Sequence, residues 1–368
     1  MNIKLTNCLT RFLALLCTLS LTLAACSSSA APVVPSSVPT LTAATGTYWP
    51  TEGWRTLSPE AEEMDSHKLA EMLDAIQGQY LALHSLLVIR NGYIVSETYF
   101  GHYQQDTRSE IYSCTKSVIS TLIGIAIDKG YIDGVGHRIV DFFPDRTFAN
   151  LDQTKQDITL EDVLTMRSGL DWLEADSTFA AMYRSQDWVK FMLDEPMART
   201  PGSQFSYCSG CSHLLSAVLQ QTTGMNTRDF AEQYLFKPLG ITDAQWEADP
   251  TGIPIGGWGL QLTPRDMAKL GYLYLQDGQW DGQQIVSAKW VEKATQKHTD
   301  TDGDLGYGYQ WWTYPSLNAY TALGRYGQTI FVIPESGLVI VTTAEMENHD
   351  QIFPLIEQYI VPAAKQSQ

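Results

Sequence analysis

Ser113-Cys-Thr-Lys116-Ser-Val-Ile-Ser-Thr-Leu-Ile-Gly-Ile-Ala-Ile-Asp-Lys129-Gly130 is the stretch on which the reading of this 368-residue chain turns. Val118, Ile119, Leu122, Ile123, Ile125, Ala126 and Ile127 leave few polar sides, which predicts a buried helix over 113–129, stopped by Gly130. Ser113 and Lys116 stand three residues apart and share one face of that helix. A serine hydroxyl is a weak nucleophile until a neighbouring base takes its proton. Burial lowers a lysine pKa and frees the neutral amine for that task. A serine in the first turn also presents its own N–H to a developing oxyanion. About one chance Ser-x-x-Lys match is expected in a chain this long. Its weight comes from context: it opens a long apolar helix just after a strand hairpin.

That hairpin is His84-Ser-Leu-Leu-Val-Ile-Arg90, Asn91-Gly92, then Tyr93-Ile-Val-Ser-Glu-Thr-Tyr-Phe100. Asn-Gly between two such runs is a strong signal for antiparallel strands. A second hairpin is expected from Thr329–Pro334 and Leu338–Thr343, with Glu335-Ser-Gly337 as the turn. Residues 150–250 read as mainly helical. A capping box at Thr159-Leu-Glu-Asp162 opens a helix to about Gly169. Others span 212–222 and 227–236, and Thr263-Pro264 opens a fourth. A last helix is expected over 351–360. Strands at both ends and helices between them suggest an α/β (α+β) domain: one antiparallel sheet from both termini, flanked by helices, with a helical region at about 150–255 inserted.

The second chemical element is Pro201-Gly-Ser-Gln-Phe-Ser-Tyr207-Cys-Ser209-Gly-Cys-Ser-His213. A polarised tyrosine can relay a proton between nucleophile, leaving group and water. Ser209 can hydrogen-bond the lysine or the substrate. His213, alone on a helix, reads as structural. No Gly-x-Ser-x-Gly elbow and no His-Glu-x-x-His occurs in the chain. Cys208-x-x-Cys211 lacks the second pair that a zinc site needs, so no metal or cofactor is expected. A disulfide between Cys114 and Cys208 is conceivable, since each flanks a candidate catalytic residue.

Hydrophobic residues make up 44% and charged residues 18%, which points to a globular fold and not to disorder. Lys4 and Arg11, followed by an apolar run to Ala25, read as a signal peptide over 1–25. Leu23-Ala24-Ala25-Cys26 resembles the bacterial lipobox, in which the peptide is cut before a cysteine that then carries lipid. Cys26 is therefore a candidate lipidation site, and lipid would hold an otherwise soluble domain at a membrane of the cell envelope. The Ser-, Ala-, Pro- and Thr-rich segment 26–47 reads as a tether, leaving 48–366 as the folded domain. Loss of Lys4 and Arg11 takes the net charge from −17 to −19, a surface that repels nucleic acid.

Ser113-x-x-Lys116 with Tyr207-x-Ser209 about ninety residues on resembles the first two motifs of the serine β-lactamase and penicillin-binding-protein family, in its class C branch. Ser209 departs from the usual asparagine. Leu164–Trp172 and Pro201–Gly240 are similar to segments of the same family. Gly257-Trp-Gly-Leu through Trp290-Val, and Leu305-Gly-Tyr-Gly-Tyr-Gln-Trp-Trp312, resemble the subgroup of 6-aminohexanoate-dimer hydrolases and class C-like esterases. The resemblance covers nearly all of 65–360. The third family motif, Lys-Thr-Gly or His-x-Gly, aligns with Ala322-Leu323-Gly324, where its cation is missing. That cation helps bind the carboxylate of a β-lactam, so its absence argues against efficient antibiotic hydrolysis. Arg325 is a candidate substitute.

The resemblance implies a β-lactamase/transpeptidase-like fold and a serine hydrolase acting on a small ester or amide through an acyl-enzyme. Ser113 is then the nucleophile, Lys116 its base and Tyr207 the relay. Substrate contacts are expected from Ser209, Gly324 and Arg325, with Trp172, Tyr183, Trp258, Trp311 and Trp312 as candidate cleft walls. The rivals are a D,D-peptidase or true β-lactamase, and a non-catalytic binding or sensor lipoprotein that keeps the fold. Oligomeric state is not legible.

Overall fold

Asn91 and Gly92 both take left-handed backbone angles, φ 49° and 89°, the combination a tight two-residue hairpin demands. They join β1 (Leu83–Arg90) to β2 (Tyr93–Tyr99). The computed structural model describes residues 48–364 apart from Tyr80, Ala175, Asp302 and Asn348. The expected signal peptide, Cys26 and the whole of the tether lie outside the described residues.

The remaining strands of the main sheet are β3 (Thr299–Asp300), β4 (Gly306–Tyr307), β5 (Trp312–Tyr314), β6 (Ala319–Gly324), β7 (Gln328–Ile333) and β8 (Leu338–Ala344). Their spatial order is β2-β1-β8-β7-β6-β5-β4-β3. The N-terminal hairpin thus joins the C-terminal one through antiparallel pairing of β1 with β8, Leu87 opposite Val341. The fold is the α/β sheet-and-helix arrangement expected, with strands from both ends in one sheet.

Alternate residues of the central strands enter different cores. Leu87, Ile89, Ile330, Val332, Val339 and Val341 face the larger core. Leu86, Val88, Phe331, Ile333, Leu338 and Ile340 face a smaller one. That second core is closed by α1 (Ser66–Gly78) and by the C-terminal helical segment beginning at Ile352. Burial on both faces explains why these strands read as unbroken apolar runs.

The larger core holds α2 (Cys114–Asp128), α3 (Leu160–Leu164), α4 (Ser177–Arg184), α5 (Trp188–Asp194) and α6 (Ser209–Thr223). It also holds α7 (Thr227–Ala231), which runs on as a π turn to Phe236, and α8 (Pro264–Leu275), which lies on β1, β7 and β8. Helix α9 (Ala288–Thr295) packs Trp290 beside Gly124 of α2. Among the described residues no helix is long and apolar enough to cross a membrane.

Two helix boundaries differ from expectation. The Thr159–Asp162 capping box forms, but α3 stops at Leu164. Met166 turns left-handed at φ 59°, and the Gln310 amide takes the Val163 and Leu164 carbonyls at 3.3 and 2.9 Å. Those are acceptors a longer helix would need. Helix α6 starts at Ser209, three residues earlier than expected, because Cys208 caps it through its sulfur, 3.0 Å from the Cys211 amide.

Candidate active site

Ser113 occupies the N-cap of α2 with helical angles, φ −67° and ψ −9°, and makes no side-chain capping bond. Its hydroxyl is left for Lys116, whose Nζ lies 2.9 Å away. The residue before it, Tyr112, is left-handed at φ 47°, an unusual state for a bulky side chain. Its ring meets that of Tyr326, itself at φ 65°, edge-on at 5.3 Å. Tyr112 thus bends the chain between Ile111 and the helix that carries the serine.

Lys116 is 1% exposed. Besides Ser113, its ammonium nitrogen reaches Ser209 Oγ at 3.0 Å and the Gly257 carbonyl at 2.8 Å. Burial pulls the Lys116 pKa from 10.5 to about 8, and the Glu174 charge works in the opposite direction. The amine is therefore available as a base near neutral to mildly alkaline pH. The Tyr207 ring lies under the same nitrogen at 4.8 Å. Burial pushes its phenol well above the usual value, with the Ser113 hydroxyl pulling the other way. Burial therefore favours the protonated phenol over a tyrosinate.

Loop 249–259 delivers the Gly257 carbonyl. Asp249 Oδ1 accepts from the amides of Thr251 and Ile253, both at 2.9 Å. Its other oxygen meets buried His213 Nε2 at 3.1 Å, and His213 Nδ1 accepts from the Gly256 amide at 3.4 Å. With Nδ1 accepting, the ring proton sits on Nε2. His213 is thus a structural clamp. A Cβ on Gly256 would come within 2.1 Å of the Ser212 carbonyl, so bare backbone is required there. The end of β6 makes a similar approach: a Cβ on Gly324 would lie 2.3 Å from the Ile111 carbonyl. That approach brings the Gly324–Arg325 backbone beside the serine.

These groups open onto a cavity of about 840 Å³ lined by Ser113, Tyr207, Gly324, Arg325, Glu174 and Phe179. Of the expected aromatic walls, Trp312 faces the cavity and stacks on Tyr207 at 5.7 Å. The others do not line it. Trp172 is buried and donates its indole N–H to Glu174 at 2.8 Å. Trp311 packs against Tyr274 at 4.4 Å, inside the core. Trp258 packs on Phe179 and Trp188 at 5.2 and 5.5 Å, and Tyr183 projects outward, 58% exposed. For Trp172 and Trp311, core burial and not substrate access accounts for the ring. The Arg325 guanidinium lies over the Tyr326 ring at 4.6 Å.

The conceivable Cys114–Cys208 disulfide is corrected. Cys208 pairs with Cys211, its neighbour one helical turn on, with Cα atoms 5.2 Å apart. Cys114 stays a free, buried thiol whose sulfur faces the Gln328 carbonyl at 3.5 Å.

Two residues of the site carried no signal in the sequence. Glu174 accepts from the Ser209 hydroxyl at 2.6 Å and from the Ser209 amide at 2.9 Å. Gln310, left-handed at φ 61° and buried, takes the Ser117 hydroxyl on its carbonyl and the Ser212 hydroxyl on its amide oxygen, both at 2.7 Å. It ties α2, α3 and α6 together beneath the lysine. Both depend on contacts across long sequence separations, which no local spacing records.

The family model described as Beta-lactamase matches residues 69–359. The 6-aminohexanoate-dimer hydrolase of Paenarthrobacter ureafaciens is 25% identical over 288 residues, 72% of this chain and 73% of its own. Among solved structures, a family VIII carboxylesterase superposes with TM-score 0.67 at 16% identity, covering 80% of this chain and 96% of that one. A penicillin-binding protein homologue from Caulobacter crescentus superposes with TM-score 0.66 at 15% identity, covering 81% and 98%. With the match spanning most of the described fold, the chain belongs to the beta-lactamase family and is a serine hydrolase.

Proposed function

We propose that the protein cleaves ester or amide bonds of small molecules through an acyl-enzyme on Ser113. Lys116, neutral above about pH 8, takes the Ser113 proton as Oγ attacks the carbonyl carbon. The N–H of Ser113 and the backbone N–H at the Gly324–Arg325 strand end hold the oxyanion. Tyr207 passes a proton to the leaving group and recovers one from Lys116. Water then attacks the acyl-enzyme by the reverse relay and releases the acid. The observation that carries this reading is the buried Lys116 amine, 2.9 Å from a serine hydroxyl that caps nothing.

The cavity favours esters and linear amides over β-lactams. At the strand position where the family motif places a cation stands Ala322, and the guanidinium that lines the cavity, Arg325, rests on Tyr326. Phe179, Leu323 and Trp312 give the walls an apolar character suited to an aliphatic acyl group. The test is a panel of short p-nitrophenyl esters, the linear 6-aminohexanoate dimer, a D-Ala-D-Ala peptide and nitrocefin. Ester or linear-amide turnover well above nitrocefin and peptide turnover is expected. Nitrocefin or the peptide as the best substrate would overturn the preference and favour a β-lactamase or D,D-peptidase.

From the signal-like sequence we also propose that Cys26 carries lipid and holds the enzyme at the cell envelope. Detergent-phase partitioning of the wild type, lost in Cys26→Ser, is the expected result. Equal partitioning of both would refute the anchor.

A further inference from the structure

The Lys116 amine has three polar neighbours, and a neutral amine has two hydrogens and one lone pair. The Gly257 carbonyl, 2.8 Å away, can only accept, so it takes one hydrogen. Ser113 and Ser209, at 2.9 and 3.0 Å, are hydroxyls that can each give or take. Lys116 acts as a base only if its lone pair meets the Ser113 hydrogen. If Ser209 turned its own hydrogen to the amine instead, the lone pair would be blocked and Lys116 would donate to Ser113, the wrong way round.

Glu174 resolves this choice. One carboxylate oxygen takes the Ser209 hydroxyl hydrogen at 2.6 Å. The other is held by the Ser209 amide at 2.9 Å and the Trp172 indole N–H at 2.8 Å. With its only hydrogen given to Glu174, Ser209 presents a lone pair to Lys116 and accepts the second amine hydrogen. We infer that Glu174 is the positioning residue that sets the direction of proton transfer at Ser113, by fixing the Ser209 hydroxyl as an acceptor toward Lys116. This inference rests on the proposed roles of Ser113 and Lys116. It also gives a reason for a hydroxyl in the Tyr207-x-Ser209 motif, since a hydroxyl held by a carboxylate serves as a pure acceptor.

Glutamine at position 174 reverses the pattern. Its oxygen must take the two N–H donors, which leaves its NH2 facing Ser209 Oγ. The Ser209 hydrogen then turns to the Lys116 lone pair. Loss of the carboxylate charge also removes an influence that holds the Lys116 pKa up.

The experiment is a pH–rate profile of p-nitrophenyl acetate hydrolysis by the full chain as wild type, Glu174→Gln, Ser209→Ala and the double variant. Residue 174 is solvent-exposed, so the substitution leaves the core intact. In Glu174→Gln the high-pH plateau of kcat is expected to fall about 100-fold, and the acid limb to move to lower pH. In the Ser209→Ala background, which has no hydroxyl to orient, Glu174→Gln is expected to cost nothing further in plateau rate while the limb still moves. An unchanged plateau in Glu174→Gln, or the same loss with and without the Ser209 hydroxyl, would overturn the inference. A wild type whose turnover survives Ser113→Ala would instead sink the underlying mechanism.

Discussion

Burial of Lys116 shifts its side chain toward the neutral amine that the proposed mechanism needs. Taking an ammonium out of water disfavours its charged form, and the nearby Glu174 charge, with a smaller contribution from Cys114, offsets this in part. The lowered pKa of about 8 fixes the sign of the pH dependence: activity is lost as the pH falls through that value, because the amine gains a proton. Ester kcat/KM rising through about pH 8 to a plateau is the expected profile, and a profile flat from pH 6 to 10 would remove Lys116 as the base. Lys116→Arg keeps the charge but cannot lose its proton, so about a 1,000-fold loss of kcat is expected. Tyr207→Phe should separate leaving groups. A p-nitrophenolate needs no proton, whereas an alkyl alcohol or amine does, so the loss is expected to be larger for alkyl esters and amides by about 10-fold or more. Equal losses would contradict the relay. The Ser113–Lys116 spacing and the Tyr207 segment were legible because each is local. Glu174 and the Gly257 carbonyl were not, since they reach Lys116 from 58 and 141 positions along the chain.

At the level of elements, the site is the meeting of two helix starts, α2 and α6, with a strand end and a loop. The apolar pattern of α2 and the Asn91-Gly92 hairpin were readable because periodicity and turn chemistry are written in adjacent residues. The boundaries of α3 and α6 were not, because tertiary partners decide them: the Gln310 amide ends one, and the Cys208 sulfur begins the other. Gln310 meets the two buried serine hydroxyls and the α3 carbonyls together. Gln310→Leu strands the Ser212 hydroxyl and those carbonyls, and a loss of about 3 kcal/mol is expected. A urea unfolding midpoint gives the measurement, and a change under about 1 kcal/mol would show that Gln310 does not tie the helices.

On the scale of the whole molecule, the sheet is closed by partners from opposite ends of the chain, β1 on β8, and the helices of the larger core hang from one of its faces. Strands near both termini with helices between them made this arrangement readable, whereas the choice of aromatic cleft walls was not. Trp172, Trp258 and Trp311 look alike in sequence to Trp312, yet only Trp312 faces the cavity, and that depends on how several elements pack. What the assembled fold achieves is a dry lysine beside an uncommitted serine at the mouth of a cavity. The most direct test is intact-mass spectrometry after exposure to a fluorophosphonate probe, with wild type, Ser113→Ala and Lys116→Ala side by side. One adduct on wild type, none on Ser113→Ala and a strongly slowed one on Lys116→Ala is the expected result; no adduct on wild type, or one that persists in Ser113→Ala, would contradict an acyl-enzyme at Ser113.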